Sequence, residues 1–85
     1  MILHITEVEY LGQFRLRLAF DNGEAGEVDL RDVLHGSVFE ALRDEHAFSR
    51  VHLDALFKTV VWESGADMAP EYLLDLLHAQ TRKVA

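Results

Sequence analysis

Five histidines and fifteen carboxylates are the side chains of this 85-residue sequence best suited to chemistry. The histidines stand at positions 4, 35, 46, 52 and 78, and no two have the i, i+3 or i, i+4 spacing that puts two ligands on one helix face. His52 and Asp54 lie two apart, on one face of an expected strand, and could offer two ligands to a metal. A catalytic zinc needs three protein ligands and an open position, and the sequence places no third. Ordinary surface histidines are the better reading, so no metal is expected.

Among the acids, Glu63, Asp67 and Glu71 gather around a turn and the start of a helix. General acid–base work needs two acids in different environments, one of them raised by burial. Asp67 and Glu71 already have a structural use, because negative charge is favourable beside the positive end of a helix. Asp44, Glu45, Glu24 and Glu27 read as solvated surface. Gly23 and Gly26 fit a hairpin and not a phosphate-cradling loop. Ser37, Ser49 and Ser64 lack the strand–turn–helix setting of a nucleophile. The absence of cysteine excludes a disulfide framework, a thiolate zinc site and a thiol nucleophile. Enzymatic activity is therefore not expected, and no catalytic residue and no cofactor are assigned.

The charge balance narrows the partners. Eight bases against fifteen acids leave −7, which opposes broad nucleic-acid binding and docking on anionic membranes. The same charge suits a basic protein partner. Arg15 and Arg17 share one face of an expected strand, but two bases are too few to carry nucleic-acid affinity. Cross-strand pairing with Glu7, Glu9 or Glu27 is the preferred account. The first residues lack the basic segment of an export signal, and no apolar run approaches the ~20 residues of a membrane span. The expected location is the cytoplasm.

These side chains need elements to hold them. A hydrophobic fraction of 49% with 27% charged residues argues for a folded chain, and 85 residues suit one domain over 1–85. Residues 2–10 have strand composition, with a change of parity near Thr6 that suggests a bulge. Phe14, Leu16, Leu18 and Phe20 alternate with Arg15, Arg17 and Ala19, which predicts a half-buried strand over 14–20. Asn22-Gly23 marks a tight hairpin in which both residues tolerate positive φ, returning into a strand over 24–30.

From Leu30 the period becomes helical. The pattern predicts one turn at 30–34, then a helix over 38–44 with Ser37 and Glu40 as a capping box. Strands are expected at 51–54 and 58–63, joined through Ala55-Leu56-Phe57, a link without Gly or Pro. Both faces of 59–63 are apolar, so that strand is central or lies at an interface. Ser64-Gly65-Ala66-Asp67 reads as a turn. Pro70 opens the last helix, with Leu73, Leu76 and Leu77 as its buried stripe and the chain fraying over 81–85. The expected architecture is α+β with two layers: about five largely antiparallel strands in one sheet, with helices on one face.

The segment Phe14 to Gly23 running into Gly26-Glu27-Val28-Asp29-Leu30, then Phe39, Leu42 and Phe48-Ser49-Arg50-Val51, forms a recognisable series. It closes on Trp62-x-x-Gly65-x-Asp67-x-x-Pro70-Glu71. In this order the sequence resembles the bacterial domain of unknown function 2442, over about residues 2–77. The resemblance implies a small two-layer α+β fold and carries no catalytic residues. It also implies a gene neighbourhood similar to a toxin–antitoxin pair. Some members of that family carry a further helix-turn-helix unit; this sequence stops after its last helix, so DNA binding is not expected of it.

The expectation is a non-enzymatic interaction module, antitoxin-like in character, with a basic small protein as partner. The patch expected to meet it comprises Val61, Trp62, Gly65 and Asp67, although Trp62 fits a core position better. Asn22, Gly23, Asp67, Pro70 and Glu71 are expected as turn and cap residues. A homodimer formed through the sheet is the alternative, and a small metal-binding or hydrolytic enzyme is more remote.

Overall fold

The computed structural model describes residues 2–82, which form two three-stranded antiparallel sheets and three α-helices. The first sheet is a meander of β1 (Ile5–Gly12), β2 (Arg15–Phe20) and β3 (Ala25–Asp29). Its alternation decides its faces. Leu16, Leu18, Phe20 and Val28 are buried, while Arg17, Glu27 and Asp29 lie on the wet side. In register, Arg17 stands opposite both Glu9 and Glu27, and the Arg15 guanidinium meets Glu27 at 3.1 Å. The arginine face is thus an internal charge ladder.

The hairpin at Asn22-Gly23 has a different construction from the expected two-residue turn. Only Gly23 takes positive φ, at 91°. Gly23 N–H donates to the Phe20 carbonyl at 3.2 Å, and Phe20 N–H to the Glu24 carbonyl at 2.8 Å. That is a three-residue loop, a turn followed by a left-handed residue. Asn22 contributes through its side chain, whose oxygen accepts from Glu24 N–H at 3.0 Å. The turn at 62–66 repeats the pattern, with Gly65 at φ 93° and bonds from Gly65 N–H to Trp62 O and from Trp62 N–H to Ala66 O.

Between the sheets, a 3-10 turn at Arg31–Val33 leads to α1 (Ser37–Glu40), a second such turn at Ala41–Arg43, and α2 (Glu45–Phe48). The expected helix over 38–44 is thus α-helical only to Glu40, continues as the 3-10 turn and stops at Asp44. The reason is local: Asp44 takes extended dihedrals and its carboxylate accepts from Ala47 N–H at 3.1 Å, capping α2. The expected Ser37–Glu40 capping box is absent. Gly36 stands at the N-cap of α1, at φ 87°, and no side chain caps that helix.

The second sheet consists of β4 (His52–Leu53), β5 (Val60–Val61) and β6 (Asp67–Met68), with β5 in the middle. A single five-stranded sheet does not form. Among the described residues, one backbone bond ties the first sheet to the β4–β5 loop, from Ile5 N–H to Lys58 O at 2.9 Å. On the opposite edge, Asp21 N–H donates to His4 O at 2.9 Å, which continues the β1–β2 pairing one residue beyond Ile5.

Pro70 is the first residue of α3 (Pro70–Arg82), and Glu71 lies in its first turn. Asp67 does not sit at that helix end: it pairs with Val61 in the second sheet. Leu73 and Leu77 are buried, whereas Leu76 and Leu74 are half-buried. Leu77 rests so closely over Gly26 that a β-carbon there would meet its terminal methyl at 2.7 Å and oblige that side chain to shift. Gln80 covers the free edge of β3, accepting from Asp29 N–H and donating to Asp29 O, both at 2.8 Å.

One hydrophobic cluster draws residues from both sheets, the linking turns and α3. Phe48 is its junction. Its ring lies 5.2 Å from Phe14, 5.7 Å from Tyr10 and 5.5 Å from Trp62, and its carbonyl oxygen accepts from the Trp62 indole N–H at 2.9 Å. Removing a fully buried phenylalanine ring costs about 3–5 kcal/mol in general. Phe48→Ala is accordingly expected to lower the urea midpoint by that equivalent and to shift Trp62 emission to the red. A loss below about 1 kcal/mol would show that Phe48 is not the junction.

Candidate functional site

The patch expected around residues 61–67 is mostly not available at the surface. Trp62 is 2% exposed, with its indole turned into the core. Val61 is half-buried within the middle strand. Gly65 and Asp67 are exposed but carry no apolar side chain to bury. The exposed apolar surface lies elsewhere, on the loop between β4 and β5. Leu56 is 80% exposed and Phe57 is 70% exposed, side by side.

This loop is built to hold that conformation. Asp54 accepts through one carboxylate oxygen from Leu56 N–H at 3.0 Å and Phe57 N–H at 2.6 Å. Its backbone closes the loop as well, with Lys58 N–H donating to Asp54 O at 2.8 Å and Asp54 N–H to Thr59 O at 2.9 Å. Lys58 takes a left-handed φ of 57° to complete the reversal. Such a conformation disfavours a side chain with a β-carbon, so the four hydrogen bonds must outweigh it. Thr59 is buried at the base of the loop and its hydroxyl donates to the Met68 carbonyl. Leu56 and Phe57 are therefore presented on a fixed frame.

Asp54 explains how a reversal arises without Gly or Pro. The Asp side chain mimics a turn's own carbonyl. Among the described residues, no three His, Cys, Asp or Glu side chains gather into a metal-sized group. Among the described residues, the other large exposed hydrophobics are Ile2, Val38 and Tyr72. Ile2 is three residues from Ile5, whose N–H is bonded at the base of this loop.

The segment carrying Ile2 is itself clamped. Asp21 accepts from His4 N–H at 3.0 Å and lies 2.9 Å from the His4 ring nitrogen. On the far side of the same hairpin, Glu24 lies 2.6 Å from the His78 ring and accepts from the Asn22 amide at 2.8 Å. The His4 backbone N–H is the main cause that holds the Asp21 carboxyl below the usual carboxylate range. The His78 hydrogen bond does the same for Glu24. Farther away, Arg50 grips Glu63 with two donors and lowers that carboxyl too.

Two comparisons bear on this arrangement. The model of the family described as "Protein of unknown function (DUF2442)" matches residues 5–79. Among solved structures, the chain is similar to a crystal structure from Nitrosomonas europaea described as a "putative DNA binding protein", NE0471, at a TM-score of 0.82 and 28% identity. The likeness covers 100% of this chain and 55% of that one, so this chain spans about half its length. No curated protein matches the chain.

The clamps set an acid dependence. Asp21 and Glu24 titrate lower in the folded chain than in the unfolded one. Their stabilisation is therefore fully present above the ordinary carboxylate value of about 4 and is lost as pH falls through the lower folded value. Unfolding free energy is expected to decline below about pH 4, and to decline less steeply in the variant Asp21→Asn, Glu24→Gln. Identical acid profiles for the two proteins would contradict the clamps.

Proposed function

The chain belongs to the DUF2442 family of proteins of unknown function, and on that premise we propose that it is a non-enzymatic interaction module that docks a basic protein through Leu56 and Phe57. The observation that carries the reading is the exposure of these two side chains on a loop fixed by Asp54. Large apolar side chains presented on a rigid frame lose little entropy when a partner covers them. Aromatic anchors of this kind dominate many interfaces.

Charge selects the partner. A surface at −7 attracts a basic protein over distance and repels a second copy of itself. The gene neighbourhood that the family resemblance implies offers one such partner, the small protein encoded alongside. In that pair this chain takes the antitoxin-like place. The DNA-binding description belongs to a protein nearly twice as long. For this chain, the charge of −7 favours a protein partner over phosphate contacts.

Co-expression with the neighbouring gene product, followed by size exclusion, tests the reading. A complex is expected, and Leu56→Ser with Phe57→Ser is expected to weaken it at least about tenfold without lowering the unfolding midpoint of this chain. Separate elution of the two proteins, a dimer of this chain alone, or retention of duplex DNA at about 150 mM salt would each overturn it.

A further inference from the structure

The β1–β2 connection carries unusual backbone. Gly12, Gln13 and Phe14 all have positive φ, at 92°, 55° and 62°, and the pairing of Gly12 with Arg15 leaves Gln13 and Phe14 as a two-residue loop. Such loops favour Asn and Gly, whereas a bulky residue there is strained. Strain of this kind persists only where the surroundings over-determine it. Here Glu45 accepts from Gln13 N–H at 3.2 Å and from the Tyr10 hydroxyl at 2.6 Å, and Phe14 O accepts from Leu30 N–H at 2.9 Å. The loop fixes the Phe14 ring edge-on against Phe48 and leaves it as one wall of a cleft.

That cleft has a volume of about 330 Å³ and is lined by Phe14, Arg31, Asp32, Leu34 and Arg43. The Arg31 guanidinium lies over the Phe14 ring, 5.4 Å from its centroid, in cation–π contact. Arg15 and Arg50 are matched to carboxylates, whereas among the described residues Arg17, Arg31, Arg43 and Arg82 have no acidic side chain within 4.0 Å. The Glu45 carboxyl is held low chiefly by the Tyr10 hydroxyl, and the Arg31 charge reaches it and helps. Of these four arginines, Arg31 and Arg43 line one cleft together. Such guanidinium forks donate paired hydrogen bonds to carboxylate or phosphate oxygens. Asp32 beside them can accept from a hydroxyl or ammonium donor. The volume lies at the small end of ligand sites, which suits a small molecule and not a macromolecule.

We propose that the cleft between Phe14, Arg31 and Arg43 binds a small anionic molecule, whose phosphate or carboxylate group is held by the two guanidiniums. This site is separate from the Leu56–Phe57 loop and does not depend on the docking function. Its test is a nitrogen–proton NMR titration of the whole chain with glycerol 3-phosphate and, separately, with succinate. Saturable shifts are expected at Phe14, at residues 31–34 and at Arg43 with at least one probe, and the probe that binds identifies the phosphate or carboxylate source. Arg31→Gln and Arg43→Gln are each expected to weaken binding about tenfold, with the amide spectrum outside the cleft unchanged. Lys58→Gln, which removes a cation outside the cleft, is expected to bind normally. Shifts that fail to saturate with both probes by about 20 mM, or equal affinity in the arginine variants, would overturn the proposal.

Discussion

Phe48 meets Tyr10 and Phe14 from the first sheet and Trp62 from the second, while its carbonyl oxygen receives the Trp62 indole N–H. Among the described residues, one backbone hydrogen bond ties the first sheet to the loop of the second, from Ile5 to Lys58. Beyond it the two sheets share one hydrophobic cluster, in which the Phe48 ring meets aromatic residues from both sides. Aromatic pairs in tilted and edge-on geometry add to what burial alone provides. The same contact reaches outward in two directions. Through Phe14 it fixes the strained β1–β2 loop and one wall of the arginine-lined cleft. Through Trp62 it anchors the end of β5, whose other end carries the Leu56–Phe57 loop.

The meander was legible because period two is unambiguous from Leu16 to Phe20, and because Asn22-Gly23 stops it. Pro70 likewise announced α3. Other features were hidden for identifiable reasons. Phe14 continues the alternation of Leu16 and Leu18 in sequence, yet it lies in the loop at φ 62°, held by Glu45 and Leu30 from distant parts of the chain. Asp44 resembled one more surface acid, and its capping role depends on a break in the helix that the apolar stripe conceals. The division into two sheets depends on which strand edges meet across the chain, β1 pairing with β2 alone and β5 with β4 and β6, and no local pattern encodes that choice.

The candidate site was less legible than the fold. Trp62 drew notice because tryptophan is common at interfaces, but its N–H is satisfied inside the core and its ring is covered. Leu56 and Phe57 drew none, since a link without Gly or Pro gives little sign of a tight reversal. The signal was present in Asp54, two and three residues ahead of the amides it receives. Reading Asp as a turn former before an apolar pair would have marked the loop. Acids recur in this role through the molecule: Asp21, Asp29, Asp44 and Asp54 each accept a backbone N–H within a turn, at a helix end or beside a hairpin. Part of the negative charge thus shapes the chain, and the remainder is free to act at longer range.

The central claim is that Leu56 and Phe57 are held out by a rigid frame and not left exposed by a loose loop. Backbone relaxation of the free protein tests it directly. Order parameters for the Leu56, Phe57 and Lys58 amides should match those of the strands, at about 0.85, and fall in Asp54→Ala. Values below about 0.6 in the unaltered chain would mean that the loop is mobile, and the preorganised docking surface would not exist.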